Sequence, residues 1–162
     1  MRWSLVAVTL CLASLSFAAS AETLSGTPRV IDGDTIELAG ERVRLHGIDT
    51  PEAQQLCEAE GTEYRCGDMA TAYLVSLTLG NQVSCEGAKS DRYKRLIAVC
   101  YVEGDDLNAA LVRAGWAVAY RRYSIDYVNE EEAAQSEGIG MWRGGFQMPW
   151  DWRRGPKSSD GR

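Results

Sequence analysis

Apolar and polar residues alternate between residues 27 and 49 with the short period of β-strands. Residues 27–38 (TPRVIDGDTIEL) are typical of a strand pair, and Ala39-Gly40 predicts a tight turn into a further strand at 41–49. Val43 and Leu45 fall on one face of that strand. Three basic side chains fall on its other face: Arg42, Arg44 and His46. The pattern therefore predicts adjacent strands with one apolar and one charged side.

Strand patterns return in the middle of the chain after a polar interval. Pro51 marks the exit from the preceding strand, and residues 53–67 predict a loop or a short helix. Residues 83–85 resume strand character, and residues 89–95 are typical of a charged hairpin tip. Leu96–Val102 is a strong β run that ends at Gly104-Asp105.

Three segments are predicted to be helices. Residues 68–79 and 107–119 each begin beside an aspartate, and residues 127–137 are closed by Gly138-Ile139-Gly140. Short strands followed by helices indicate an α+β fold with a small β-barrel.

The N-terminal segment differs from the rest of the chain. Residues 1–21 combine an early Arg2, an apolar run and the small residues Ala19-Ser20-Ala21, which predicts a secretory signal peptide cleaved after Ala21. A membrane anchor is the alternative, but serines interrupt a run that is short for a bilayer. We expect an exported monomer, in the periplasm or the medium, with no membrane contact after cleavage.

The remaining chain is predicted to form one domain and a C-terminal extension. Residues 22–145 are long enough for a real core. Residues 146–162 are predicted to be a tryptophan-containing extension that becomes a disordered polar tail. Packing against the barrel is favoured over a partner surface for three tryptophans: Trp142, Trp150 and Trp152.

Net charge argues against strong attraction of a polyanion. The chain carries −6 at pH 7, and loss of Arg2 with the signal leaves 16 of its 17 basic residues against 23 acidic ones, or −7. Such a charge gives a poor long-range field for nucleic acid. A positive cleft could still form from local basic residues: Arg44, Lys89, Arg92, Lys94, Arg95, Arg121 and Arg122. We expect weak and strongly salt-dependent substrate binding.

Four cysteines remain after residue 21. An even number in an exported protein predicts two disulfides, with three possible connectivities. Local pairing is favoured, and it joins the cysteines as follows: Cys57 with Cys66 and Cys85 with Cys100. Zinc is the alternative use of four cysteines, but the sequence has no C-x-x-C and only one histidine, His46.

Two acidic clusters suggest a cation site. They are Asp32-Gly33-Asp34-Thr35 and Asp49-Thr50-Pro51-Glu52. Each cluster alone is more typical of a turn. Together, Asp34, Asp49 and Thr50 offer carboxylate and carbonyl oxygens to a hard divalent cation such as calcium. The first cluster does not begin an EF-hand loop, because Ile36 stands where that pattern needs an oxygen ligand.

Side chains near these clusters are suited to a phosphate. Arg44 and Arg95 could clamp phosphate oxygens in bidentate fashion, although a lone arginine on a strand is usually just solvated. Glu52 could act as a general base on water, although surface glutamates greatly outnumber catalytic ones.

Four motifs occur in one order along the chain. They are DGDT at 32–35, R-x-x-x-x-DTPE at 44–52, D-R-Y-x-R at 91–95 and LN-x-x-LV-x-x-G at 107–115, followed by a helix that ends near Trp142. This order closely resembles the staphylococcal nuclease (thermonuclease) family over nearly the whole domain. The resemblance implies an OB-fold barrel of five strands with three helices, and hydrolysis of phosphodiesters in DNA and RNA that leaves 3′-phosphates.

The resemblance also implies roles for individual residues. It implies calcium held by Asp34, Asp49 and the Thr50 carbonyl. It implies a catalytic set of three: Arg44, Glu52 and Arg95. It implies a nucleotide pocket lined by three more: Arg92, Tyr93 and Tyr120. Glu52 would take a proton from, or orient, the attacking water, and Asp32 would order the metal ligands. Tyr120 ends a predicted helix, so a core position is its alternative.

One position departs from the family pattern. Lys94 stands where D-x-Y-G-R usually has glycine, so a positive φ there would cost about 1 kcal/mol or change the shape of the tip that aims Arg95. Lys94 could also add a phosphate contact.

Two other functions remain open at this point. A non-catalytic OB-fold module that binds nucleic acid or another polyanion is disfavoured because the full set of site residues is present. An enzyme acting on a different phosphodiester, such as a small nucleotide, would use the same site.

Overall fold

A computed structural model describes residues 22–155 of the chain. The predicted signal peptide and the last residues of the predicted polar tail lie outside the described residues. No helix within the described range has both the length and the apolar character that crossing a bilayer requires.

The described chain is a mixed α+β structure. Eleven strands occur in this order: β1 Glu22–Gly26, β2 Arg29–Asp32, β3 Thr35–Leu38, β4 Glu41–Leu45, β5 Ile48–Asp49, β6 Leu56–Ala59, β7 Thr62–Arg65, β8 Val83–Ser90, β9 Leu96–Val102, β10 Asp105–Asp106 and β11 Val118–Ala119. The helices are α1 Cys66–Thr78, α2 Leu107–Arg113, α3 Val128–Glu137, a 3₁₀ turn at Gly140–Arg143 and α4 Pro149–Trp152.

The main sheet has the strand order β1-β8-β9-β4-β3-β2, and β10 pairs with β9. Strands β4 and β9 are parallel, whereas the other pairs are antiparallel. β1 and β2 form the two ends of this order and are not hydrogen-bonded to each other. The predicted OB-fold class is confirmed as OB-fold-like, but the described strands do not close into a complete barrel.

The core lies between the sheet and the helices. Alternate residues of β9 are buried from Leu96 to Val102. On β4, Val43 and Leu45 are buried, so the predicted apolar face is the core face. Leu74 of α1 and Leu111 of α2 have no exposed surface. Full burial of such side chains contributes about 1.5–3 kcal/mol each, which fixes the faces of the strands that carry the polar site.

Residues 53–67 do not form the predicted loop or short helix. They contain the hairpin β6–β7, whose two-residue turn consists of Glu60 and Gly61 with φ of 53° and 78°. Positive φ at both central residues is the signature of a type I′ turn, which suits the twist of a hairpin. The predicted turn at Ala39-Gly40 has the same signature.

The second helix is shorter than predicted. α2 ends at Arg113, because Gly115 has a φ of 72° and turns the chain away. Val118 and Ala119 then pair with β5 instead of continuing the helix. By contrast, α1 and α3 confirm the predicted helices to within two residues at each end, and Gly138 ends α3 in the left-handed conformation.

The C-terminal segment packs on the domain. A cluster of Cys57, Cys66, Val118 and Met141 is covered by Trp142 and Trp150. α4, which the sequence did not predict, begins with Pro149 at its first position. The structure thus agrees with packing rather than exposure for these two tryptophans.

Candidate active site

Strand pairing brings the predicted site residues together. In the β3–β4 register Thr35 lies opposite Arg44, and in the parallel β4–β9 register Arg44 lies opposite Ile97. Arg44 points away from the core, since its neighbours Val43 and Leu45 are buried. The register therefore places the start of β3, the end of β4 and the start of β9 around one polar cleft.

Two buried carboxylates flank Arg44. Asp34 is 3 % exposed and Asp49 has no exposed surface. Arg44 forms an ion pair with Asp34, and its Nη2 lies 2.9 Å from Asp49 Oδ1. Burial lowers the pKa of Arg44 from its ordinary value, although the charge of Asp49 acts in the opposite direction. A buried carboxylate requires such a partner, because an uncompensated buried charge is strongly destabilising.

Thr50 is bonded to Asp34. Its backbone N–H and its hydroxyl donate to Asp34 Oδ2 at 3.2 and 3.1 Å. Gly33 permits this approach, because a Cβ atom there would lie 2.7 Å from Thr50 Oγ1. Asp32 orders the same turn by accepting the backbone N–H of Asp34 at 3.1 Å.

The donor chemistry around Asp34 and Asp49 fits a calcium ion. Two carboxylates and Thr50 are hard oxygen donors, and calcium accepts few protein ligands when water completes its shell. Within the described range, no three or more His, Cys, Asp and Glu side chains gather as a metal-binding group. The ligands that the resemblance implies are two carboxylates, Asp34 and Asp49, and the carbonyl oxygen of Thr50.

Arg95 reaches the same cleft from the tip between β8 and β9. Asp91 accepts the backbone N–H groups of Tyr93 and Arg95 at 2.8 and 3.0 Å, and it pairs with the Arg95 guanidinium at 2.7 Å. Arg95 Nη1 also donates to Thr35 Oγ1 at 3.2 Å. Lys94 has a φ of 63°, so lysine adopts the left-handed conformation that favours glycine. Arg95, the next residue, still lines the cleft.

The predicted nucleotide pocket has an exposed and a covered aromatic ring. Tyr93 is 64 % exposed, with the Arg92 guanidinium carbon 4.8 Å from its ring centroid. Tyr120 lies on the rim of the cleft rather than in the core, held by its N–H bond to Gly47 at 2.8 Å. Trp150 stacks on Tyr120 at 5.3 Å between ring centroids. Packing of Trp150 on the domain was predicted, but its stacking on Tyr120 was not.

Arg153 contacts two carboxylates of the site, and the sequence patterns did not predict these contacts. Its Nη2 lies 2.6 Å from Asp49 Oδ2, and its Nη1 lies 2.9 Å from Glu52 Oε1. Burial alone would lower the pKa of Arg153, but hydrogen bonds and charge attraction from Asp49 and Glu52 raise it above the ordinary value. The only signal in the sequence is a basic pair after the last tryptophan, and this pair lies in the predicted extension.

The loop that carries Glu52 is held in place by the β6–β7 hairpin and by α1. Cys57 and Cys66 are bonded, and Cys66 Sγ lies 3.4 Å from the carbonyl oxygen of Gln55. Gly67 lies so near that a Cβ atom there would be 1.9 Å from the Glu52 carbonyl oxygen. The other disulfide joins Cys85 to Cys100 between β8 and β9, which completes the favoured local pairing.

The cleft has a volume of about 1180 Å³ and an excess of positive charge. Seven basic residues line it against five acidic ones. The basic residues are Arg44, Lys89, Arg92, Arg95, Arg122, Arg153 and Arg154. Lys94 and Arg121, which were predicted to be members, do not line it, and Arg121 instead pairs with Glu131. An acidic chain thus presents a locally basic cleft.

Comparison with known proteins identifies the family of the chain. Residues 42–144 match the family described as staphylococcal nuclease homologue. The chain is 41 % identical over 130 residues to "Succinoglycan biosynthesis protein ExoI" of Rhizobium meliloti, covering 78 % of this chain and 68 % of the relative. It is 32 % identical over 149 residues to "Micrococcal nuclease" of Shigella flexneri, covering 81 % and 80 %. It is 33 % identical over 137 residues to an "Uncharacterized endonuclease" of Haemophilus influenzae, covering 80 % and 72 %.

Proposed function

The chain belongs to the staphylococcal nuclease family, and from this premise we propose that it is an exported, calcium-dependent nuclease that leaves 3′-phosphates. Its relatives support nuclease activity in general. One observation carries the finer proposal. Arg44, Arg95 and Glu52 line one cleft together with the buried carboxylate of Asp34.

The phosphate is bound by the two arginines. Arg44 and Arg95 each present a planar guanidinium to the cleft, and such a group matches two phosphate oxygens at once. Their positive charges stabilise the negative charge that grows on the oxygens as phosphorus becomes five-coordinate. Asp34, Asp49 and Thr50 would hold the calcium ion, which would supply further positive charge to stabilise the transition state.

Glu52 is placed to handle the attacking water. Its carboxylate is 40 % exposed and lines the cleft, so water reaches it. Glu52 orients this water or takes its proton while the water oxygen bonds to phosphorus. The bond from phosphorus to the 5′ oxygen breaks, that oxygen is protonated, and the phosphate stays on the 3′ side.

Nucleic acid is the proposed substrate because charge and aromatic groups meet in one cleft. Tyr93 offers an exposed ring beside Arg92, and Tyr120 lies on the rim. Stacking of an unpaired base on such a ring contributes about 1–3 kcal/mol without sequence preference. DNA and RNA are both suited to this arrangement.

Export is supported by the two disulfides. Cys57–Cys66 and Cys85–Cys100 are both formed in the structure. Disulfides persist in oxidising compartments and are rare in the cytosol. Together with the predicted signal peptide, they favour the periplasm or the medium as the site of action.

Degradation of single-stranded DNA by the purified protein tests the proposal. We expect cleavage with calcium, loss of cleavage with EGTA, and loss of cleavage in Arg44→Ala and Glu52→Ala. The 5′ ends of the products should accept a labelled phosphate from polynucleotide kinase without phosphatase treatment. Their 3′ ends should accept a labelled nucleotide from terminal transferase only after phosphatase treatment. DNA binding without cleavage by the unaltered protein would overturn the enzyme proposal and favour a non-catalytic binding module.

A further inference from the structure

Arg153 connects two carboxylates that have different proposed tasks. Asp49 is a proposed calcium ligand, and Glu52 acts on water. One guanidinium contacts both, with Nη1 3.1 Å from Asp49 Oδ1 and 2.9 Å from Glu52 Oε1, and with Nη2 2.6 Å from Asp49 Oδ2. This arginine comes from the residue after α4, about a hundred positions along the chain.

The carboxylate oxygens of the proposed metal site already have donors. Arg44 and Arg153 both donate to Asp49 Oδ1, and Arg153 donates to Asp49 Oδ2. Arg44 pairs with one oxygen of Asp34, and Thr50 donates to the other. A dication at Asp49 would stand close to two guanidinium groups, and like charges at contact repel strongly in a buried site. At least one donor must withdraw when a cation binds.

Arg153 is the donor that can withdraw. The Arg44 side chain is 19 % exposed and stands within the sheet, and Thr50 is buried beside Asp34. The Arg153 side chain is 36 % exposed and follows a helix of four residues. Its release moves a side chain at the rim, whereas release of Arg44 would disturb β4.

We propose that Arg153 competes with the divalent cation for Asp49 and, while bound there, also occupies Glu52. Cation binding and release of the Glu52 carboxylate are therefore one coupled event. The proposal rests on the proposed function, because it takes Asp49 as a cation ligand. Arg153 acts here as a positioning residue that links the cation site to the group that handles water.

Coupling of this kind is reciprocal. If Arg153 must leave Asp49 before the cation binds, the cation affinity of the unaltered protein is reduced in proportion to the fraction of molecules in which Arg153 is away from Asp49. Loss of Arg153 removes this reduction, and coupling between two sites is typically about 5–150-fold. The cation alone reports this effect, so no substrate is required.

Calcium titration by isothermal calorimetry tests the competition. We expect Arg153→Ala to bind calcium at least about fivefold more tightly than the unaltered protein. Arg154→Ala is the matched control, because it removes the same charge from the neighbouring position, where Arg154 pairs with Asp151 at 3.3 Å. Arg153→Lys keeps the charge but loses the two-pronged contact, and we expect an intermediate affinity. It also serves as the test if Arg153→Ala does not fold.

The outcomes separate this inference from the proposed function. Equal calcium affinity in Arg153→Ala and Arg154→Ala, or weaker binding in Arg153→Ala, overturns the competition while the calcium site stands. Absence of binding in every variant overturns both proposals. Binding by Arg153→Ala where the unaltered protein binds weakly or not at all supports the competition.

The link to Glu52 has its own test. Glu52→Gln should change calcium affinity by different factors in the unaltered protein and in Arg153→Ala, because only the former has the shared guanidinium. Identical factors in the two backgrounds would show that Glu52 and the cation are not coupled through Arg153.

Discussion

Gly67 supports the backbone of Glu52, and its replacement by alanine is expected to displace that residue. A Cβ atom at Gly67 would lie 1.9 Å from the Glu52 carbonyl oxygen and 2.9 Å from the Ala53 Cα atom. Since non-bonded heavy atoms pack best at about 3.5–4.0 Å, the loop or α1 must move by roughly 1.5 Å. Both neighbours are backbone atoms, so no side-chain rotation relieves the clash.

Two consequences of Gly67→Ala can be estimated. Overpacking at a closely packed position costs about 1–3 kcal/mol of unfolding free energy. A shift of about 1 Å in a group that acts on the substrate lowers the rate about a hundredfold. We therefore expect a lower Tm and a DNA cleavage rate about two orders of magnitude below that of the unaltered protein.

The assay is initial-rate cleavage of single-stranded DNA at a temperature well below the Tm of both proteins. Gly145→Ala is the control, because its Cβ atom would meet only Glu58 Oε2, at 3.7 Å, and we expect near-normal rate and Tm. A Gly67→Ala protein that melts and cleaves like the unaltered protein would refute the argument that this contact positions Glu52.

Three more outcomes are expected. Lys94→Gly should raise the free energy of unfolding by about 1 kcal/mol, because glycine removes the strain of a φ of 63°; an unchanged denaturant midpoint would contradict this. Asp91 has a pKa below its ordinary value: burial acts against this shift, but hydrogen bonds from the backbone and side chain of Arg95 outweigh it. This contact therefore contributes its full stability above the ordinary pKa of aspartate, and the contribution is lost as the pH falls through the lowered pKa. Asp91→Asn should weaken the dependence of the free energy of unfolding on acid pH, measured by denaturant titration. Reduction of Cys57–Cys66 should lower the free energy of unfolding by about 2–4 kcal/mol and lower the cleavage rate, since this bond borders the Glu52 loop. A Tm and a cleavage rate that are unchanged by reductant would contradict both expectations.

The local part of the site could be predicted because its residues are close in sequence. Asp34 lies in the turn between β2 and β3, Arg44 lies on β4 and Asp49 lies on β5. The alternation along β4 is enough to place Arg44 on the face opposite Val43 and Leu45. Gly138 likewise marked the end of α3, because a left-handed residue there satisfies the last carbonyl groups of the helix.

The site contacts of Arg153 and Trp150 could not be predicted from local patterns. Their partners Asp49 and Tyr120 become neighbours only through tertiary packing, and the short α4 has no apolar repeat to reveal it. The hairpin β6–β7 was missed for another reason, since its strands are largely exposed and lack strong alternation. The early end of α2 depends on Gly115, whose Cβ atom would meet the carbonyl oxygen of Ile139 at 2.4 Å.

The contact between Arg153 and Asp49 also bears on the order of folding. It joins residues 104 positions apart, whereas the β2–β3 and β3–β4 hairpins close loops of a few residues. Loops of that size close in well under a microsecond, while long-range contacts wait for the collapse of most of the chain. We therefore expect the β2–β3–β4 strands around Arg44 to form before the C-terminal arginine reaches the site. The carboxylates of the site would spend the early part of each folding event with Arg44 as their only arginine.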